Sequence, residues 1–295
     1  SFQVINNIAG FYREEGKSNK AIEYYKKAIS INPNNSYIYN NLSKTYFDLN
    51  RHDDAKENSF KALKLIPNDG DAQKTLSFIY LKDHDYENGW NYFDGRLSLN
   101  DFIRKNENIE KLNKKLFRKK VINKSTSKFL IVREQGVGDE ILYASMYGDL
   151  LKNVENITIE CDPRLLSLFK RSFSKYSNKF VELGNISNED YKLKKIDYVL
   201  YAGSLGKYYR KNLTHFITEP FIKVDRERYK ETQNKLLKYK KKYNIGISWK
   251  SFNNRYASDK SLNLHDFKDV FKLPNCNVFN LQYGDVADEI NNFKN

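Results

Sequence analysis

Two stretches decide the fold: Ala21-Ile-Glu-Tyr-Tyr-Lys-Lys-Ala28-Ile-Ser-Ile-Asn-Pro33 and, 34 residues on, Ala55-Lys-Glu-Asn-Ser-Phe-Lys-Ala62-Leu-Lys-Leu-Ile-Pro67. The same shift aligns Ile8, Leu42 and Leu76, then Tyr12, Tyr46 and Tyr80, and brings Gly89 into line with Ala21 and Ala55. A helical hairpin of this period needs a small residue where its two helices cross. It also needs larger apolar residues on the faces that stack against the next hairpin. Pro33 and Pro67 stop each second helix before another hairpin begins. A third unit departs from the pattern after Gly89, where Trp90, Tyr92, Phe93 and Arg96 follow without a terminating proline. Residues 2–97 are therefore expected to form a short hairpin array with the third unit as its cap.

These residue types at these offsets resemble the tetratricopeptide repeat (TPR). The resemblance implies a concave groove that takes a peptide or another protein. The alternative is that two and a half repeats serve as a packing platform for the domain that follows.

The 295 residues allow two or three domains, and 40% hydrophobic with 15% aromatic content can build real cores. A net charge of +14 with a pI near 9.4 suits an anionic partner such as nucleic acid, a membrane surface, a nucleotide or a phosphorylated sugar. The lysines, however, run along the whole chain beside asparagines, which reads as a compositional bias. Nucleic-acid binding rests on charge alone and is disfavoured. Cys161 and Cys276 stand apart, without neighbours at metal-ligand spacing, so neither a metal site nor a disulfide framework is expected, and a reducing, cytoplasmic setting fits. No apolar run approaches the roughly 18 residues that span a bilayer. The chain opens on Ser1 rather than Met, which leaves an excerpt of a longer protein as one reading.

Residues 98–127 carry a weak helical period through Ile103, Ile109, Leu112 and Leu116 and end in Lys124-Ser-Thr-Ser127, as a helical connector with a loop would. Its basic run reads as a solvated helix face. The character then changes. Lys128-Phe-Leu-Ile-Val-Arg133 is a short apolar run of the kind found in buried parallel strands, and a glycine turn and an apolar-periodic helix through Ile141, Leu142, Met146, Leu150 and Leu151 follow it. Strands at 156–161, 179–183 and 196–201, with a helix from Pro163 to Phe173, continue the alternation. The expected fold class is thus α plus α/β, with TPR hairpins ahead of a doubly wound parallel sheet over 128–225. A basic amphipathic helix from Arg226 to Tyr243, then strands at 244–250 and 278–282, open a second, incomplete Rossmann-like unit over 226–295.

Open α/β sheets bind ligands beyond the carboxyl ends of their strands, which makes the turn Glu134-Gln135-Gly136-Val137-Gly138-Asp139-Glu140 a candidate site. Glycines there admit a ligand to the backbone, and the helix N-terminus behind them favours negative charge. The turn lacks the third glycine of a dinucleotide fingerprint and the Gly-Lys-Ser/Thr of a P-loop. Asp139 and Glu140 equally suit first-turn acids that complement the helix dipole.

The stretch 131–142, together with Asn244-Ile-Gly-Ile-Ser-Trp-Lys250 and Asn280-Leu-Gln-Tyr-Gly284, resembles bacterial tetratricopeptide proteins fused to a glycosyltransferase domain. Those fusions are related to family nine heptosyltransferases and, more distantly, to O-linked N-acetylglucosamine transferases. The resemblance implies a GT-B architecture of two Rossmann-like domains, the acceptor side here falling in 128–225 and the donor side in 226–295. It also implies an inverting, metal-independent transfer from a nucleotide-sugar, which is a substrate rather than a cofactor. The acceptor would be a protein or an oligosaccharide recruited by the repeat groove. By the same resemblance Asp139 is the general base, Gln135, Gly136 and Gly138 belong to the substrate turn, and Ser248, Lys250 and Lys260 face the donor diphosphate. His215 and His265 read as structural or surface residues. A complete donor domain would continue about a hundred residues beyond its first strand. The second function carried forward is therefore a non-catalytic TPR adaptor with a degenerate glycosyltransferase-like domain.

Overall fold

The computed structural model describes residues 1–99, 108–119, 122, 127–239, 242–251 and 261–294. These residues form two compact units, Ser1–Val224 and Asp225–Asn295, so the hairpin array and the first sheet share one unit.

The array comprises α1 (Phe2–Glu14), α2 (Ser18–Ile31), α3 (Ser36–Asp48), α4 (His52–Leu65), α5 (Gly70–Lys82) and α6 (Tyr86–Phe93), closed by a 3-10 turn over Asp94–Ser98. The turn inside each hairpin takes one left-handed residue, at Gly16, Asn50 and His84, with φ of 71°, 58° and 63°. Only the first is a glycine. The left-handed turn therefore repeats with the period even where a side chain makes it costly. Asn35 and Asp69 cap α3 and α5 by accepting backbone N–H groups of their first turns. Ala21 and Ala55 are buried at the helix crossings. A Cβ at Gly89 would stand 2.7 Å from Leu81 Cδ2, so the third crossing admits no side chain at all.

Beyond the array lie α7 (Ile109–Asn113), β1 (Phe129–Val132), α8 (Val137–Ala144), α9 (Tyr147–Asn153), β2 (Ile157–Cys161), α10 (Pro163–Ser172), β3 (Phe180–Glu182), α11 (Asp190–Leu193), β4 (Tyr198–Tyr201) and α12 (Gly206–Tyr209). The four strands are parallel, in the order β3-β2-β1-β4. All four residues of β1 are buried, as a strand covered on both faces requires. The order reverses between β1 and β4, which is where an open parallel sheet offers its ligand crevice.

Two expectations in this unit need correction. The connector helix does not reach Leu116: α7 ends at Asn113, and Leu116 pairs in parallel with Val199, where Phe117 N donates to Val199 O at 2.9 Å. The backbone of β4 thus recruits the segment to the sheet edge. Ile103 lies outside the described residues. The helix expected through Ile141–Leu151 is in fact two, α8 and α9, broken at Ser145-Met146. The buried Arg210 occupies the break, donating to Ser145 O at 2.7 Å and to Asp149 Oδ2 at 2.8 Å, so the freed carbonyl is satisfied from outside the helix.

The second unit holds α13 (Arg226–Leu236), β5 (Tyr243–Ile247), α14 (Lys268–Phe271), β6 (Cys276–Asn280) and α15 (Ala287–Lys294). Its helix stops at Leu236 rather than Tyr243, because Tyr243 opens β5 and pairs in parallel with Cys276. Its core gathers Ile247, Trp249, Leu264 and Val286.

Candidate functional site

The carboxyl ends of β1 and β4 meet the cap of the array. Arg96, buried, forks onto Glu134: Nε donates to Oε2 at 2.7 Å and Nη2 to Oε1 at 2.6 Å. Arg96 also donates to Phe93 O at 2.8 Å and Ser204 Oγ at 3.0 Å, while Gly203 N donates to Glu134 Oε1 at 2.6 Å. Beside them Ser204 Oγ donates to Asp94 Oδ1 at 2.6 Å, and Lys207 Nζ pairs with Asp94 Oδ2 at 2.5 Å. Burial would raise the Asp94 carboxyl, but Lys207 and Arg96 outweigh it and hold the group below its ordinary value. The indole of Trp90 occupies the space that a Cβ on Gly206 would need, and Phe93 stands where a Cβ on Gly203 would. The inner part of the crevice between β1 and β4 is therefore filled by the chain itself.

What stays open is the turn after β1. Gln135, a non-glycine residue at φ 62°, is exposed. Its carbonyl accepts from Arg133 Nη2 at 2.6 Å, and its side-chain oxygen accepts from Tyr143 Oη at 3.3 Å. A left-handed non-glycine residue so braced is a strained position held by its surroundings. Gly136 and Gly138 are exposed, and a Cβ at Gly138 would meet nothing within 4 Å. Asp139 is half-buried and accepts from Gly136 N at 3.1 Å, closing the first turn of α8. The first-turn reading of Asp139 thus holds as geometry.

Glu140 departs from that reading. It is fully buried, and its Oε1 accepts from Asp162 N at 2.9 Å while Oε2 lies 2.8 Å from Arg133 Nε. Burial pushes its carboxyl up, against the pull of the Asp162 amide and Arg133. Asp162 in turn caps α10 and pairs with Arg164 at 2.8 Å, which brings its carboxyl down to about 2. This chain of charges ties the exit of β1 to the exit of β2. The helical period gave no sign of it, because Glu140 sits among apolar residues on a helix start that also accepts acids for dipole reasons.

In the second unit, Gln282 clamps the end of β5. Its Oε1 accepts from Ser248 Oγ, Trp249 N and Lys250 N at 3.1, 2.8 and 2.7 Å, and its Nε2 donates to Lys250 O and Tyr283 O at 2.8 and 3.0 Å. Lys250 Nζ reaches Glu289 Oε2 at 3.3 Å, and Trp249 Nε1 donates to Glu289 Oε1 at 2.9 Å. Burial pushes the Glu289 carboxyl up, yet these two partners bring it below its ordinary value. Next to them lies an open cavity of 550 Å³ lined by Lys250, His265, Asp285, Asp288, Glu289 and Phe293 among others. His265 packs edge-on against Phe293, with ring centroids 5.0 Å apart. His215 closes a local turn, accepting from Lys211 N at 3.3 Å. Gln135, Gly136, Gly138 and Asp139 are thus brought together in one unit, and Ser248 and Lys250 in the other. Lys260 lies outside the described residues. Sequence reasoning missed the role of Gln282 by placing it at the end of a strand over 278–282; β6 is in fact Cys276–Asn280, and Gln282 lies beyond it, where its side chain turns onto the end of β5.

Two family models, a TPR repeat and a tetratricopeptide repeat, match residues 11–50 and 36–69. The N-terminal region thus carries tetratricopeptide repeats over residues 11–69. Repeats of this kind imply a protein-interaction scaffold. The chain is 24% identical to protein FlbA of Caulobacter vibrioides over 342 residues, covering 97% of this chain and 55% of FlbA. It therefore spans about half the length of the curated relative that it matches. Among solved structures, the Sgt2 TPR domain from Aspergillus fumigatus matches 39% of this chain and 80% of its own, at 18% identity and a TM-score of 0.32. The OM64 TPR domain of Arabidopsis matches 34% and 83%, at 20% identity and a TM-score of 0.32. Among the described residues no helix is long and apolar enough to cross a membrane.

Proposed function

We propose that the array recruits a protein or oligosaccharide acceptor to an inverting, metal-independent glycosyl transfer, with a nucleotide-sugar as donor and Asp139 as general base. One observation carries the reading. The strained, open turn Gln135–Asp139 sits at the carboxyl end of β1 in a parallel sheet, and Gly138 faces free space that no packing demand explains. Asp139 Oδ2 holds the Gly136 amide, and among the described residues no other donor reaches the carboxylate, so Oδ1 remains for an acceptor hydroxyl. In the reaction that oxygen takes the hydroxyl proton as the acceptor attacks the anomeric carbon and the nucleoside diphosphate departs. Ser248 and Lys250, at the end of β5, would face the diphosphate, and a cation there offsets charge that grows in the transition state.

The second reading, a non-catalytic adaptor, is favoured by a different observation: Ser248 and Lys250 are already engaged by Gln282 and Glu289. The test uses the longest native polypeptide with a panel of nucleotide-sugars, comparing wild type with Asp139→Asn. Turnover that falls at least about a hundredfold in the variant, in the range of general-base losses, supports the base. Equal turnover removes Asp139 from the mechanism, and the absence of turnover with every donor favours the adaptor.

A further inference from the structure

The turn that carries Asp139 holds a second polar side chain whose position packing does not explain. Gln135 takes a left-handed backbone with φ 62°, a conformation that an L side chain resists and a glycine accepts freely. The glycines of the turn, Gly136 and Gly138, do not take it. The strained position therefore keeps a side chain, although that residue is exposed and fills no core. The side chain is also aimed. Its Oε1 accepts from Tyr143 Oη at 3.3 Å. Tyr143 is buried, with Cζ 3.0 Å from where a Cβ on Gly203 would stand, so packing fixes the hydroxyl. Burial and the nearby Glu134 push its phenol up, which keeps the group neutral and a proton donor to Oε1. A carboxamide held at its oxygen turns its NH2 away from that bond, and among the described residues no acceptor takes Nε2. Asp139 and Tyr143 stand four apart in α8, on one face of the helix. The amide tethered to Tyr143 thus lies on the side that carries the Asp139 carboxylate.

We infer that Gln135 is a specificity-determining residue of this turn: its Nε2 donates to an oxygen beside the acceptor hydroxyl that Asp139 deprotonates, and Tyr143 is the positioning residue that holds the amide there. The inference rests on the glycosyl-transfer reading and adds which acceptors the site takes. A structural role alone needs only an acceptor for the Tyr143 hydroxyl, which water at an exposed turn supplies. An uncharged donor beside the Asp139 carboxylate does nothing to balance a second anion, so the oxygen recognised is neutral, a carbonyl or a hydroxyl. A peptide carbonyl next to a Ser or Thr hydroxyl and the vicinal hydroxyl of a sugar both supply that chemistry. An acceptor with a lone hydroxyl on an otherwise apolar group does not, and it leaves Nε2 unpaired.

The test uses the longest native polypeptide with the panel of nucleotide-sugars, and runs Ser/Thr peptides and oligosaccharides as separate acceptor arms. Gln135→Gly removes the amide and relaxes the backbone. Gln135→Asn keeps an amide on a residue tolerant of the left-handed region but draws it back by one methylene. Each should raise the acceptor KM about tenfold, the worth of one hydrogen bond of about 1.4 kcal/mol, with kcat and the donor KM within about twofold of wild type. Thermal midpoints should stay within about 2 °C. Tyr143→Phe should raise the acceptor KM about threefold, and should add nothing further to Gln135→Gly, because the two act through one amide. The arm in which the variants lose affinity identifies the source of the oxygen. An unchanged acceptor KM in Gln135→Gly overturns the inference and leaves the glycosyl-transfer reading standing. A rise in KM accompanied by a thermal midpoint lowered by more than about 5 °C assigns a structural role and overturns it as well. Absence of turnover with every donor removes the reading and this role together.

Discussion

The two ends of the hairpin array meet the same problem in opposite ways. A stacked repeat must cover the apolar face of its last helix. At the α6 end the chain does so with Trp90 against Gly206, Phe93 against Gly203 and the buried Arg96–Glu134 fork. At the α1 end Val4, Ile8 and Phe11 are exposed among the described residues. The difference shows that the α6 end is a specific joint. Two glycines on the sheet side make room for two aromatic rings, and a carboxylate at the end of β1 finds its counter-charge on the array. An oriented, glycine-lined joint of this kind sets the array's direction relative to the turn after β1, which a purely apolar contact would leave looser.

The sharpest way to break the comparison is Arg96→Met, which leaves Glu134 buried without its counter-charge. A loss of about 3–5 kcal/mol in denaturant unfolding is expected, with much of it restored by adding Glu134→Gln. An Arg96→Met loss below about 1 kcal/mol would show that the joint rests on the aromatic rings instead. Next comes the pair Leu76→Ala and Ile8→Ala, the same position in two hairpins. The first should cost about 2–5 kcal/mol by opening a cavity. The second should stay within about 0.5 kcal/mol because solvent already reaches the site. Equal costs in the native chain would mean that Ile8 is covered in solution. Gly206→Ala should cost about 1–3 kcal/mol through overlap with the Trp90 indole, and Trp90→Leu in the same chain should relieve part of it.

A smaller effect follows pH. The Asp94 carboxyl is held below its ordinary value in the folded protein, so the native state favours its charged form. That contribution is fully present above the ordinary carboxylate range and is lost as pH falls through it and below. Thermal midpoints measured from neutral pH to about pH 3 should therefore fall less steeply in Asp94→Asn than in wild type. Parallel curves would remove Asp94 as a contributor. A small gain is expected from His84→Gly, which relieves a left-handed side chain in the third hairpin turn and should stabilise by about 0.5–1 kcal/mol.

The hairpins were legible because their physics is local and repeats. Ala21, Ala55 and Gly89 announce three helix crossings, and the aligned Leu42 and Leu76 announce the stacking face. The alternation of strands and helices after Lys128 was legible for a similar reason, since an apolar run bounded by a glycine turn has few other folded forms. Boundaries failed where a distant group supplied the deciding hydrogen bond. Leu116 left its helix for the backbone of Val199, and the α8–α9 break depends on Arg210, 65 residues away from Ser145. The candidate site was half legible. Residues 135–139 fall on an open turn as expected, but the buried Glu140 and the Gln282 clamp take their roles from partners that no spacing reveals.

By itself the sequence determined that there would be repeated hairpins followed by α/β units, because period, crossing residues and turn glycines act within a few dozen residues. The tertiary structure alone decided how the array ends. Trp90, Phe93 and Arg96 read as an irregular third repeat until the sheet supplies Gly203, Gly206 and Glu134. The physical reason is that a buried ion pair and a ring-on-glycine contact depend on groups more than a hundred or several dozen residues apart, whose approach only the folded sheet enforces.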